Sequence, residues 1–274
     1  MHLQKNYKLK FGDDLTSPSP VLNELLSLFN QDDISLSLLL DIIQKDITVT
    51  TNILKYANSA YFGASGTVSS LKKAIELIGL VETRNISVCN VLISNFAQKN
   101  YIGHFDYKIF WLHSFLTANI SKCIAKLSNK FDENEAYIIG LLHDIGWLAI
   151  ALYLPDQYDL IRKNDDNNKN NSGKSMHSLI GMKVVKMWNL PDIICNSILY
   201  HTNPECATTS VGYESLTALS SRLAVDLENN KLIEKIFFDN YKDLNLDDYQ
   251  INMIISELPL ILTKTKEIIN LSEF

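Results

Sequence analysis

Apolar residues recur along this chain at intervals of three and four, the spacing that brings them onto one face of a helix. Ser17-Pro18-Ser19-Pro20 breaks the start, and Val21, Leu22, Leu25, Leu26 and Phe29 then predict a first helix. Ile34, Leu36, Leu38 to Leu40, Ile42 and Ile43 predict a second, opened by Asp32 and Asp33, whose charges suit a helix N-terminus. Residues 49–58 form a third. After a loop containing Gly63, Ser65 and Gly66, a short amphipathic helix begins at Leu71 and stops at Gly79, and residues 80–96 continue as helix.

The polar stretch 100–105, with Gly103 and His104, marks a subdomain break. Residues 107–127 predict the next helix. Residues 135–153 read as one long buried helix despite Gly140 and Gly146 inside it. The Asn/Asp/Lys run 164–172 has little to bury and reads as a mobile surface loop. Helices follow over 176–188, over 192–200 behind Pro191, and over 215–227. The tail offers a short helix at 231–238 and a longer pattern at 247–271 that Pro259 is expected to kink or split. With no sustained period-two alternation and no internal repeat, the fold class is all-α.

Composition changes this picture little. The 274 residues suggest about two domains or subdomains, and 46% hydrophobic with 20% charged residues is ordinary for a globular chain. A net charge of -6 gives no long-range attraction to nucleic acid or anionic lipid, although a local basic groove stays open. Cys89, Cys123, Cys195 and Cys206 are scattered, with no C-x-x-C, which fits a reduced, cytoplasmic setting. The first ten residues lack a signal-like apolar stretch, and 145–154 is too short to cross a bilayer. No membrane partner is expected.

The candidate chemistry lies in the histidines. His113 falls on the apolar stripe of its helix, three residues after Phe110 and seven before Ile120. His143 and Asp144 sit together in Gly140-Leu141-Leu142-His143-Asp144-Ile145-Gly146. A buried, unpaired aspartate costs several kcal/mol or takes up a proton. A metal ion with histidine ligands removes that cost; the plainer alternative is that Asp144 caps a helix or pairs with an unseen base while each histidine is a satisfied core residue.

Residues 46–63, Asp46-Ile47-Thr48-Val49-Thr50-Thr51-Asn52-Ile53-Leu54-Lys55-Tyr56-Ala57-Asn58-Ser59-Ala60-Tyr61-Phe62-Gly63, resemble the signature of the HDOD family, the HD-related output domain of bacterial signalling proteins. Val68, Ser70-Leu71, Ala74-Ile75 and Leu77-Ile78-Gly79 extend it, and Trp111-x-His113, the His143-Asp144 block, His177-x-x-x-Gly181, Trp188-x-Leu190-Pro191 and His201-x-x-Pro204 follow in order. The resemblance implies an N-terminal helical subdomain (17–103) packed on an HD-like helical bundle (104–228), between an extension at 1–16 and a helical tail at 229–274. It implies metal ligands at His113, His143, Asp144, His177 and His201, with Asp144 also the candidate catalytic group. Such a donor set suits Mn, Fe, Ni or Zn over Mg or Ca.

Three departures weigh on activity. The late aspartate of HD phosphohydrolases falls on Ser221. Asp226, five residues on, lies roughly 140° around the helix and faces elsewhere. Trp147 stands where related enzymes often carry a lysine, and His201 is followed by Thr202-Asn203-Pro204 in place of a Gly-Tyr-Pro pattern. The leading expectation is therefore a stand-alone regulatory protein acting through protein partners. The rival is a metal-dependent phosphohydrolase acting on a nucleotide or another phosphoester.

Several smaller features carry two readings each. Asn58 and Ser59 read as a helix end or a ligand contact. Arg84 is solvated or paired with an acid across the subdomain interface. Trp111, Trp147 and Trp188 pack the core or wall a pocket, and 164–172 is a loop or a lid.

Overall fold

The computed structural model describes residues 18–31, 33–59, 67–97, 105–167, 174–207 and 212–271. Expectations about the N-terminal extension, Asp32, the loop at 60–66, the break at 98–104 and residues 168–173 fall outside these. The described residues contain helices and no strand. The first five helices are α1 (Pro20–Ser27), α2 (Leu36–Ile43), α3 (Ile47–Ala57), α4 (Leu71–Ile78) and α5 (Leu80–Ala97). Their apolar faces meet in a core that includes Leu22, Leu25, Leu39, Ile43, Ile53 and Ile75.

Local chemistry sets the helix ends. Ser19 caps α1, with Pro20 as its first residue, and Asp46 accepts from the backbone N–H groups of Thr48 and Val49 at the start of α3. The second helix is capped by Ser35, whose hydroxyl accepts from Leu38 N, and begins after the acidic pair that the sequence pattern put at its start. Asn58 is structural: its amide bonds Leu54 O, Val68 O and Val68 N, which ties the end of α3 to Val68.

The second half begins with α6 (Tyr107–Ser128), α7 (Glu133–Leu142), α8 (Ile145–Tyr153) and α9 (Tyr158–Asn167). It continues through α10 (Met176–Met187), α11 (Asp192–Tyr200) and α12 (Tyr213–Glu228). Two expectations are corrected here. The predicted single helix over 135–153 is broken at His143-Asp144, where Asp144 leaves helical geometry (φ -103°, ψ 9°) and its carbonyl accepts from Trp147 N. The polar run at 164–172 is not all loop, because Asn164, Asp165, Asp166 and Asn167 complete α9. Although Glu133–Tyr153 has the length and hydropathy to cross a membrane, 78% of that window is buried inside the protein.

The C-terminal helix α13 (Asp248–Leu271) packs along α6; Asn119 donates to Thr265 Oγ1 and Gln250 donates to Leu127 O. It runs through Pro259 without the expected split, its apolar contacts with α6 outweighing one lost backbone hydrogen bond. The short helix expected at 231–238 is instead a 3₁₀ segment, Lys235–Leu244.

Arg84 of α5 joins the two halves. It is fully buried, and it donates to Asn134 Oδ1 of α7 at 2.8 Å, to Asn85 Oδ1 and to Leu28 O, with its guanidinium 3.7 Å above the Phe29 ring. Burial lowers its pKa to about 10, which leaves it charged at neutral pH. The predicted acidic partner is thus replaced by amide and carbonyl oxygens and an aromatic face.

Glu214, in the first turn of α12, is 2% exposed, and its Oε1 has no hydrogen-bond partner among the described residues. Burial raises its pKa above the ordinary carboxylate value. The folded state thus binds this proton more tightly than the unfolded state. The resulting stability is present below the unfolded value of about 4.3 and lost as pH rises through the folded one. Glu214→Gln is expected to raise Tm at pH 7 and to leave it nearly unchanged at pH 4. Equal shifts at both pH values would show that the buried charge is not the cost.

Candidate metal centre

The broken helix sets the geometry of the site. The turn between α7 and α8 places Asp144 in the lining of a cavity of about 720 Å³, with His143 fully buried beside it. His113 reaches it from α6, His177 from the first turn of α10, His201 from the end of α11 and Ser221 from α12. Two close helix approaches make this possible. A Cβ at Gly140 would stand 2.8 Å from Ala118 Cα, and one at Gly146 would stand 1.9 Å from His177 O. The first brings α7 onto α6 beside His113, and the second brings α8 onto α10 beside His177.

All five residues picked out in the sequence converge. Asp144 Oδ2 lies 3.8 Å from His113 Nε2 and 3.5 Å from His143 Nε2; Asp144 Oδ1 lies 3.4 Å from both His177 Nε2 and His201 Nε2. The donor atoms therefore form two triads that share one carboxylate: His113, His143 and Asp144, then Asp144, His177 and His201.

Every imidazole is oriented from behind. His143 Nδ1 donates to Gly140 O at 2.8 Å and His201 Nδ1 to Ile198 O at 2.7 Å. Since a carbonyl only accepts, these rings carry their proton on Nδ1 and turn an Nε2 lone pair inward when neutral. His177 Nδ1 meets Asp165 Oδ2 at 2.8 Å, and His113 Nδ1 meets Glu228 Oε1 at 3.1 Å, giving the same tautomer. Such outer carboxylates fix ring orientation and increase ligand basicity.

The inward nitrogens then face one another, His113 to His143 and His177 to His201, each at 3.3 Å. Two lone pairs cannot bond each other, so the arrangement calls for a proton or a metal cation in each gap. Ligand atoms about 2.1 Å from a tetrahedral ion stand about 3.4 Å apart, close to the separations within each triad. The residues present fit a pair of N₂O sites, each with room for further ligands on the cavity side.

The electrostatics follow from burial and the shared aspartate. Desolvation dominates at His143, which is fully buried, and its pKa falls to about 3 in spite of Asp144. At His113 burial pulls the same way, but the Glu228 hydrogen bond and the charges of Asp144 and Glu228 outweigh it and raise the pKa. Asp144 itself is held well below the carboxylate range, since the surrounding imidazoles overcome its desolvation.

Ser221 Oγ lies 3.2 Å from His113 Nε2, so the serine occupies the cavity where the late aspartate was expected. Asp226 faces away as predicted, fully buried between Arg222 and Lys231. Trp147 stacks on His177 with centroids 4.5 Å apart and lines the cavity, whereas Trp111 and Trp188 are core residues.

Asp165 and Glu228 were missed by sequence reasoning. Asp165 was hidden in the run taken for a loop. Glu228 lies seven residues after Ser221, about 700° along the helix and so nearly on the same face. That spacing was visible in the sequence.

The sequence matches the HDOD domain family over residues 15–204, and the chain belongs to that family. A solved HDOD domain protein of unknown function from Geobacter sulfurreducens superposes with a TM-score of 0.72 at 20% identity, covering 92% of each chain. A proposed phosphohydrolase from Shewanella amazonensis gives a TM-score of 0.74 at 18% identity, over 95% of this chain and 96% of that one. Among curated proteins, Ribonuclease Y of Mycoplasma genitalium is 26% identical over 159 residues, or 56% of this chain. An uncharacterized Treponema pallidum protein is 25% identical over 207 residues, or 70% of this chain. The matches span only 28% and 38% of those two relatives.

Proposed function

We propose that this chain is a bacterial, cytoplasmic metal-dependent phosphoester hydrolase built on the HDOD fold. One observation carries the reading: four imidazole nitrogens converge on one shared carboxylate, and that carboxylate and three of the four histidines line an open cavity. Bound Mn, Fe, Ni or Zn would supply Lewis acidity toward a phosphoryl oxygen and acidify a water. The protein's own part is positional. Gly140 O, Ile198 O, Asp165 and Glu228 hold the four rings, and Asp144 spans the two triads. With its oxygens facing four imidazoles, Asp144 serves as a ligand rather than as a free base. Hydrolysis also accords with relatives named a ribonuclease and a proposed phosphohydrolase.

Ser221 favours a second reading. It places a neutral hydroxyl beside His113 where another carboxylate would complete the first triad. On that reading the metals stabilise a regulatory domain that signals through protein partners. Elemental analysis of tag-free protein, with p-nitrophenyl phosphate and bis(p-nitrophenyl) phosphate assays, separates the two. Hydrolysis predicts near-stoichiometric metal and turnover at least about 100-fold above a His143→Ala, Asp144→Ala variant. Bound metal without turnover toward any phosphoester leaves the regulatory reading, and absence of metal in the parent sinks the hydrolase and leaves a partner-binding regulatory domain.

A further inference from the structure

We propose that Arg162, supported by the Tyr158 hydroxyl, is the anion-binding arm of this cavity. It would grip a phosphate ester whose organic group is apolar or planar and lies against Ile109, Phe110 and Val225. The substrate class rests on the hydrolase reading above.

Arg162 is the one lysine or arginine among the residues lining the cavity. It shares a face of α9 with Tyr158 and Asp165, at relative positions 0, +4 and +7, and all three line the cavity. Asp165 is the natural partner for it but is fully engaged elsewhere. Its Oδ1 accepts from Met176 N at 2.9 Å, and its Oδ2 accepts from His177 N at 3.1 Å and His177 Nδ1 at 2.8 Å.

The other cavity carboxylates are committed too. Asp106 caps α6 by accepting from Ile109 N, Glu228 orients His113, and Asp144 faces the four histidines. Arg162 makes no ion pair among the described residues. Among the described residues its only hydrogen-bond contact is a long one, from Nη1 to the Tyr158 oxygen at 3.5 Å. A guanidinium has five N–H donors in a fork that matches a phosphate. An exposed guanidinium that lines this cavity and makes no ion pair among the described residues is suited to an incoming anion.

Tyr158 ties this arm to the metal centre. Its ring meets Trp147 edge to face at 5.7 Å, and Trp147 stacks on His177. Ile109 and Val225 line the same cavity while remaining 59% and 38% exposed. Exposed aliphatic side chains and a cation in one cavity match an ester with a charged head and an apolar body.

The test measures inorganic phosphate binding to Mn-loaded full-length protein by calorimetry, for the parent, Arg162→Met and Arg162→Lys, with metal content measured on each sample. The expected result is a tenfold to hundredfold loss of phosphate affinity in Arg162→Met, on the order of one charge-assisted bond. Metal content should be unchanged, and Arg162→Lys should restore part of the affinity. Equal affinity in parent and Arg162→Met, at equal metal content, overturns the proposal. A parent without metal defeats the hydrolase reading separately. The same comparison on metal-free protein then decides the arm: loss of phosphate binding on removing Arg162 supports it, and no binding or unchanged binding overturns it.

Discussion

Replacing Asp144 by asparagine is expected to abolish binding at both metal positions at once, although it changes one residue and keeps its shape. The two oxygens of this carboxylate serve different histidine pairs, Oδ2 toward His113 and His143 and Oδ1 toward His177 and His201. An amide in its place supplies one weak oxygen donor and turns an N–H₂ group toward the other pair, which removes the charge that both sites share. Replacing His113 or His177 by alanine removes a donor from one triad only. Elemental analysis should therefore give about two equivalents in the parent, about one in each histidine variant and none in Asp144→Asn. Thermal scans provide a second check. A ligand present at 100 times its dissociation constant stabilises the native state by about 2.7 kcal/mol, so the rise in Tm on adding Mn or Zn should vanish in Asp144→Asn. An Asp144→Asn protein that keeps one ion would show that the triads do not depend on a common carboxylate.

Much of this arrangement was legible in the sequence, because the helices announce themselves through apolar spacing and the five candidate ligands stand within long motifs. The errors have physical causes. The apolar run from Ile138 to Leu154 reads as one buried helix because both its parts are buried; the break lies in the backbone of Asp144, which spacing does not report. The run that opens at Asn164 looked unable to bury anything. One acid of that run, Asp165, is bonded by His177, a contact across twelve residues that helical periodicity does not reveal. Of the two outcomes expected at Pro259, the split does not occur, since the face α13 presents to α6 keeps the helix continuous around a single missing donor. Arg84 shows the limit of pairing rules: an arginine with no carboxylate partner is still satisfied by two amide oxygens, a carbonyl and a ring.

The two triads differ behind their common aspartate, and the difference bears on which would fill first. His143 and His201 lean on backbone carbonyls, while His113 and His177 lean on carboxylates, one in each triad. The basicity supplied from behind is therefore balanced. The imbalance lies in front, where Ser221 Oγ is 3.2 Å from His113 Nε2 and Trp147 covers one face of His177. The first triad thus has a neutral hydroxyl in front of it, and the second an indole against one of its rings.

Gly146→Ala is expected to damage both the fold and the site more than the same change at any other described glycine. The added Cβ would meet His177 O at 1.9 Å and Gly181 N at 2.8 Å, and both atoms are backbone, so no rotamer change relieves the clash. Helices α8 and α10 must separate by more than an ångström. Overpacking of this kind typically costs about 1–3 kcal/mol, and a backbone-to-backbone clash belongs at the upper end, a fall of roughly 10 °C in Tm for a chain of this size. His177 is carried on the displaced turn. Its Nε2 leaves Asp144 Oδ1, and the His177–His201 triad opens while the His113–His143 triad keeps its supports. Gly181→Ala gives an internal scale, since its Cβ would meet Gly146 N and Ile198 Cγ2 at 3.2 Å, a contact that small shifts relieve. Thermal unfolding with elemental analysis should show a large loss of stability and about one metal equivalent in Gly146→Ala, and milder effects on both in Gly181→Ala. Matching behaviour of the two variants would mean that the approach of α8 to α10 does not set the position of His177.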